Sequence, residues 1–106
     1  MKYFLHDNDL PREVNIGKSI AIDTETTGLN LIRDRLCLIQ ICNEDKEIHL
    51  IKINKNSDSP VIRNILCNEK ILKIFHFARF DVAVFKHNYK ISINNIYCTK
   101  IASKLA

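Results

Sequence analysis

The sequence predicts an α/β domain on a mixed sheet: an antiparallel three-strand meander, then strand–helix units that add parallel pairing. Three observations predict it. Three apolar runs joined by short polar turns fill the first half of the chain. Strand-like and helix-like runs alternate in the second half. The composition, 46% hydrophobic and 26% charged over 106 residues, is that of an ordinary globular chain. The length allows one small domain and not two.

Residues 18–24 (KSIAIDT) read as a buried strand, and Gly28 and Asn30 mark the turn after it. Residues 35–43 (RLCLIQICN) form a second strand, with Leu36, Leu38 and Gln40 on one face and Cys37, Ile39 and Ile41 on the other. Residues 43–46 suit a hairpin connection into a third strand, 46–53 (KEIHLIKI). Ser59 and Pro60 then look like an N-cap and first helical residue. Ile62, Ile65 and Leu66 follow at helical spacing, and Asn68 is a left-handed stop. Residues 70–76 (KILKIFH) are a fourth strand. Residues 78–88 (ARFDVAVFKHN) are a second helix with Phe80, Ala83 and Val84 as its apolar stripe. A short fifth strand over 93–97 and an amphipathic helix over 99–106 complete the pattern. The last helix has no stop signal, so the domain, residues 1–106, is expected to be cut short of its natural boundary.

No run of about 18 apolar residues occurs, which excludes a membrane-spanning helix. The opening MKYFLHDNDLP turns acidic after Leu5, unlike a secretory signal, and the expected location is the cytoplasm. Cys37, Cys42, Cys67 and Cys98 match neither a CxxC pair nor a finger spacing, so reduced, buried thiols are expected. The net charge is +4, unevenly spread. From residue 70 onward seven Lys and Arg residues face one acid, Asp81. Such a half-chain suits a polyanionic partner or a solvated lysine-rich face.

The most informative segment is 20–29, IAIDTETTGL. Asp23 and Glu25 stand two apart near a strand end, so both carboxylates point to one face. Side by side they repel, and a shared hard cation such as Mg²⁺ or Mn²⁺ would relieve this. Turn acids facing water are the alternative. Asp81 falls in the first turn of the second long helix. There it either complements the helix dipole or projects toward the first pair, if the strands at 18–24 and 70–76 are neighbours.

Together these segments resemble the DEDD superfamily of 3′–5′ exonucleases, ribonuclease D-like proteins in particular. IAIDTETTGL matches the first motif and HFARFDVAVF the second, with their starts about 55 residues apart. RLCLIQI, IYCTKIASKL and HDNDLP are similar to further segments of that group. The resemblance implies a ribonuclease H-like fold and two divalent cations, Mg²⁺ or Mn²⁺, bound among four acids. Asp23 would bridge both ions, Glu25 hold one and Asp81 help hold the other. The implied reaction is an in-line displacement at the 3′-terminal phosphodiester, with ions about 4 Å apart. Thr26 and Leu29 match positions that contact the terminal nucleotide. His76, Phe77 and Arg79 are further candidate substrate contacts. Phe77 stands where many relatives have Asn, and Cys98 where many have Asp.

The family's third motif, a Tyr or His with Asp four residues later, is absent. Three acids against two divalent ions leave the site undercharged, and loss of one member of a catalytic unit commonly costs several powers of ten in rate. The expected partners are therefore nucleic acid, RNA rather than DNA, and a separate C-terminal fragment completing the domain. The alternatives are an inactive remnant or nucleic-acid-binding module, and a DxE nuclease of the ribonuclease H or transposase type.

Overall fold

Period-two patterning draws four segments of the first half into strands: β1 (Lys2–Asp7), β2 (Ser19–Thr26), β3 (Leu36–Cys42) and β4 (Glu47–Lys52). Helix α1 (Pro60–Cys67), β5 (Leu72–Phe75), α2 (Ala78–Tyr89) and β6 (Ile96–Cys98) follow. The computed structural model describes residues 2–28, 30, 33–55, 57–76 and 78–99. The strands form one six-stranded sheet in the order β1-β4-β3-β2-β5-β6. β2, β3 and β4 are the antiparallel meander, and β5 and β6 add in parallel beside β2. This is the mixed sheet the sequence predicts.

Strand β1 is an addition to that expectation. It pairs in parallel with β4, Tyr3 opposite Ile48 and Leu5 opposite Leu50. Its side chains gain little cover, with Tyr3 66% and Leu5 81% exposed, so no buried-face pattern announces it.

Both helices pack on one face of the sheet. Ile20 and Ile22 of β2, Ile39 and Ile41 of β3, Ile51 of β4 and Phe75 of β5 meet Ile62, Leu66, Val84 and Phe85 in a single core. Each such side chain contributes about 1.5–3 kcal/mol when fully buried. The opposite face carries the exposed Ala21, Asp23, Glu25 and Gln40. The 43–46 hairpin forms as expected: Lys46 takes φ 62, and Asn43 Oδ1 accepts the Glu47 N–H at 3.0 Å.

Several local expectations are corrected. The β2–β3 register shifts at Glu25/Thr26, with Glu25 opposite Leu38 but Thr26 opposite Leu36. The extra residue, Cys37, rotates Leu36 onto the core side with Ile39 and Ile41. Ser59 is left-handed at φ 44 and makes no capping bond. Its hydroxyl instead donates to the Asn8 carbonyl and accepts from Tyr89 Oη at 2.8 Å. Asp9 caps α1, accepting the Val61 N–H at 2.9 Å and the Ile62 N–H at 3.0 Å. Asn68 is extended (φ −77), not left-handed. The buried stripe of α2 is Ala78, Asp81, Val84, Phe85 and Tyr89, with Phe80 and Ala83 only half-buried. β6 starts three residues later than expected and ends at Cys98. All four cysteines are free thiols, but Cys67 is exposed and the others half-buried. The helix expected over 99–106 lies outside the described residues from residue 100 on.

Candidate active site

Strand β2 lies inside the sheet between β3 and β5. Its pairing with β5 stops where Ile22 meets Phe75, while its pairing with β3 continues to Thr26. The overshooting stretch carries Asp23, Thr24 and Glu25. Strand alternation splits them: Asp23 and Glu25 are exposed on the uncovered face, and Thr24 is half-buried on the helix side. Two adjoining cavities open on the acidic side. One of about 30 Å³ is bounded by Asp23, Glu25, Leu38 and Gln40. The other, of about 250 Å³, extends from Asp23 and Gln40 to Ile74, His76 and Thr99.

Asp81 approaches the same stretch from the other side. β5 neighbours β2 and feeds directly into α2, whose first turn holds Asp81. Only 5% of Asp81 is exposed, and its Oδ1 accepts a hydrogen bond from Thr24 Oγ1. Burial pushes its carboxyl up to about 6 from 3.8; the Thr24 bond opposes the rise and the nearby Asp23 charge adds to it. Asp23 itself accepts the Thr24 N–H at 3.0 Å. Asp23 and Asp81 are thus within electrostatic reach, on opposite sides of one strand.

Carboxylate oxygens are hard donors, and the exposed pair fits Mg²⁺ or Mn²⁺ by chemistry. Among the described residues, no three His, Cys, Asp or Glu side chains stand together as a ready metal site. Asp81 is turned onto Thr24, so the three acids do not form a preassembled cage. A buried carboxylate whose charge is disfavoured by its surroundings is nonetheless the electrostatic setting that a nearby cation would relieve.

The remaining candidates are dispersed around this stretch. Thr26 Oγ1 donates to the Gly28 carbonyl, inside a tight loop. A Cβ on Gly28 would lie 2.7 Å from Asp34 Cγ, so a larger residue there would displace the Asp34 carboxylate. His76 is exposed, with Nδ1 2.9 Å from Thr99 Oγ1. Arg79 is exposed on α2. Leu29 and Phe77 lie outside the described residues. Two contacts escaped sequence reasoning. Thr24 contacts Asp81, for which its facing opposite to Asp23 was the available signal. Cys98 Sγ accepts the Ala78 N–H at 3.3 Å at the start of α2, for which the sequence offers no signal.

Comparison with known proteins bears on this arrangement. A family model described as 3′–5′ exonuclease matches residues 7–106. NrnC of Brucella melitensis, solved bound to pGG, superposes with a TM-score of 0.94 at 45% identity over 99% of this chain and 52% of that one. The same protein solved with bound Mg²⁺ gives 0.93 at 45% identity, covering 99% and 53%. RNase D of Escherichia coli, described as an exoribonuclease involved in structured RNA processing, gives 0.67 at 25% identity over 81% of this chain and 23% of that one. Ribonuclease D of Bartonella henselae is 29% identical over 86 residues, 81% of this chain and 21% of that protein. The chain therefore spans about half the length of NrnC and about a fifth of the ribonuclease D relative. It belongs to the 3′–5′ exonuclease family, the one its two acidic motifs resemble.

Proposed function

We propose that the chain is the N-terminal part of a 3′–5′ exonuclease domain of ribonuclease D type. It hydrolyses 3′-terminal phosphodiester bonds in nucleic acid, RNA rather than DNA, in the cytoplasm. The observation that carries this is the exposed Asp23–Glu25 pair at the end of β2, with Asp81 bonded to the intervening Thr24. Asp23 and Glu25, with Asp81 from the helix side helping to hold the second ion, would bind two divalent cations, Mg²⁺ or Mn²⁺, through hard oxygens. Bound there, such cations supply positive charge against the scissile phosphate and the departing 3′ oxygen. Thr26 and Leu29 position the terminal nucleotide. Phe77 offers an aromatic surface, and His76 and Arg79 contact phosphate. The NrnC structures with pGG and with Mg²⁺ support the ligand and the ion.

No Asp or Glu follows Asp81 in the sequence. A further polypeptide segment, joined or separate, is proposed to supply the fourth carboxylate and the group that orients water. The test is a 3′-trimming assay of the chain alone and with a complementing C-terminal fragment, in Mg²⁺ and in Mn²⁺. Stepwise 3′ loss is expected from the complemented protein, and Asp23→Ala lowers it by about 10³-fold or more. No trimming after complementation, or equal trimming by the variant, overturns the reading. Internal cuts would point to a ribonuclease H-type nuclease instead.

A second reading, a nucleic-acid-binding module without catalysis, is favoured by the basic second half, where seven Lys and Arg residues stand against one acid from residue 70 onward. It predicts salt-dependent RNA binding that needs no metal.

A further inference from the structure

On the helix-covered side, at the same end of β2, lies a cavity of about 560 Å³. Arg33, Arg35, Lys55, His87 and Lys90 all line it, and no Asp or Glu does among the described residues. Three separate stretches of chain supply these side chains. Arg35 precedes β3, Lys55 follows β4, and His87 and Lys90 close α2. Arg33 is paired with Asp34 at 3.3 Å. Arg35, Lys55 and Lys90 have no carboxylate partner among the described residues.

Arg35 is also preset. Its Nη1 donates to the Ile53 carbonyl at 2.9 Å and the Leu36 carbonyl at 3.3 Å. That fixes the guanidinium while its other N–H groups remain available. Cations at the end of α2 complement the helix dipole, which alone would account for Lys90. It does not account for Arg35 and Lys55, which arrive from the sheet.

The cavity lies at the same end of β2 as the acidic pair, on the other face of the sheet. Thr27, two residues beyond Glu25, lines it. Its N–H donates to the Arg35 carbonyl at 2.9 Å, and its hydroxyl accepts the Arg35 N–H at 3.0 Å. Helix α2 joins the two places, with Asp81 in its first turn and Lys90 just past its end. The two are nine positions apart along and just past the helix, about 13 Å at 1.5 Å per residue.

We propose that this basic cavity is a second phosphate-binding site, taking backbone phosphates of a nucleic-acid strand whose 3′ end lies at Asp23 and Glu25. The identity of the ligand rests on the exonuclease reading above; the capacity to hold phosphate rests on the cavity alone. Arg35 gives a fixed fork for one phosphate, and Lys55 and Lys90 give mobile point charges for its neighbours.

The test measures binding of a short fluorescent single-stranded oligoribonucleotide to the full chain in EDTA, across a range of salt. Hydrolysis and cation binding play no part under these conditions. The double variant Lys55→Gln, Lys90→Asn removes two charges, and asparagine suits the φ of 58 at position 90. The slope of log affinity against log salt is expected to flatten by about 1.4, or 0.7 for each lost phosphate contact. Lys70→Gln, an exposed charge remote from the cavity, leaves the slope unchanged. If the double variant does not fold, Lys55→Gln alone flattens the slope by about 0.7.

A wild type that binds RNA with a slope unmoved by the double variant overturns the cavity and leaves the carboxylate site standing. A wild type that does not bind the oligonucleotide at low salt also overturns it. A flattened slope in a protein that fails the trimming assay upholds the cavity and sinks the exonuclease reading instead.

Discussion

The hydroxyl of Thr24 donates a hydrogen bond to the carboxylate of Asp81 across 57 positions of chain. The bond ties the first turn of α2 to the overshooting end of β2. It also gives a buried acid its one strong local reason to stay ionised.

Removing that donor leaves a buried carboxylate with a lost partner. Thr24→Val is expected to lower stability by about 1–3 kcal/mol at pH 8. Thr24→Ser, which keeps the hydroxyl, is expected to recover most of the loss. Urea denaturation in EDTA measures both, and equal stability of Val and wild type would show that the bond carries no weight.

The raised carboxyl of Asp81 gives stability a definite pH dependence. Its folded value is about 6 against 3.8 for an ordinary aspartate. Between those values the folded chain binds more protons than the unfolded chain, so this group's contribution falls as pH rises through the window. The drop is about 2–3 kcal/mol from pH 4 to pH 7. Asp81→Asn abolishes it, and the variant is more stable than wild type at pH 8. A parallel pair of stability–pH curves would contradict this.

Helix α1 depends on an acid far from it in sequence. Asp9→Ala leaves the Val61 and Ile62 N–H groups without their acceptor, at a cost of about 1–2 kcal/mol. Asp9→Asn retains an acceptor and loses less. Faster amide exchange confined to the first turn of α1 is the expected hydrogen-exchange signature.

Phe85 sits at the centre of the helix–sheet contact, fully buried, edge-on to Phe75 and stacked on Tyr89 with ring centroids 6.5 and 6.0 Å away. Phe85→Ala is expected to cost about 3–5 kcal/mol, and Phe85→Leu distinctly less. Thermal denaturation of the pair ranks them.

Much of this architecture was legible because it is written in local periods. Alternation in 18–24 places Asp23 and Glu25 on one side of a strand, and the switch to helical spacing after Pro60 marks the change from meander to strand–helix units. The misses share a physical cause: each depends on a partner distant in the chain. Ser59 and Pro60 form a convincing local capping signal, yet Asp9 arrives from another segment and displaces it. Leu36 changes face because a bulge at Cys37 breaks the alternation that read it. Thr24 is an unremarkable strand residue until Asp81 is folded against it. Charge was legible as a bias in the second half. Its gathering into a cavity was not, since Arg35 and Lys55 lie in the acidic half of the sequence.

The parallel seam between β1 and β4 sets an order on biosynthesis. Tyr3 leaves the ribosome long before Ile48, its opposite number. At about 5–20 residues per second the interval is about 2–9 s. Throughout it Tyr3, Phe4 and Leu5 have no strand to zip onto, and Asp9 has no helix to cap. A nascent chain carrying that greasy ribbon is most vulnerable to holdase capture or mispairing in those seconds, and fusing a fast-folding tag ahead of Lys2 would not shorten them.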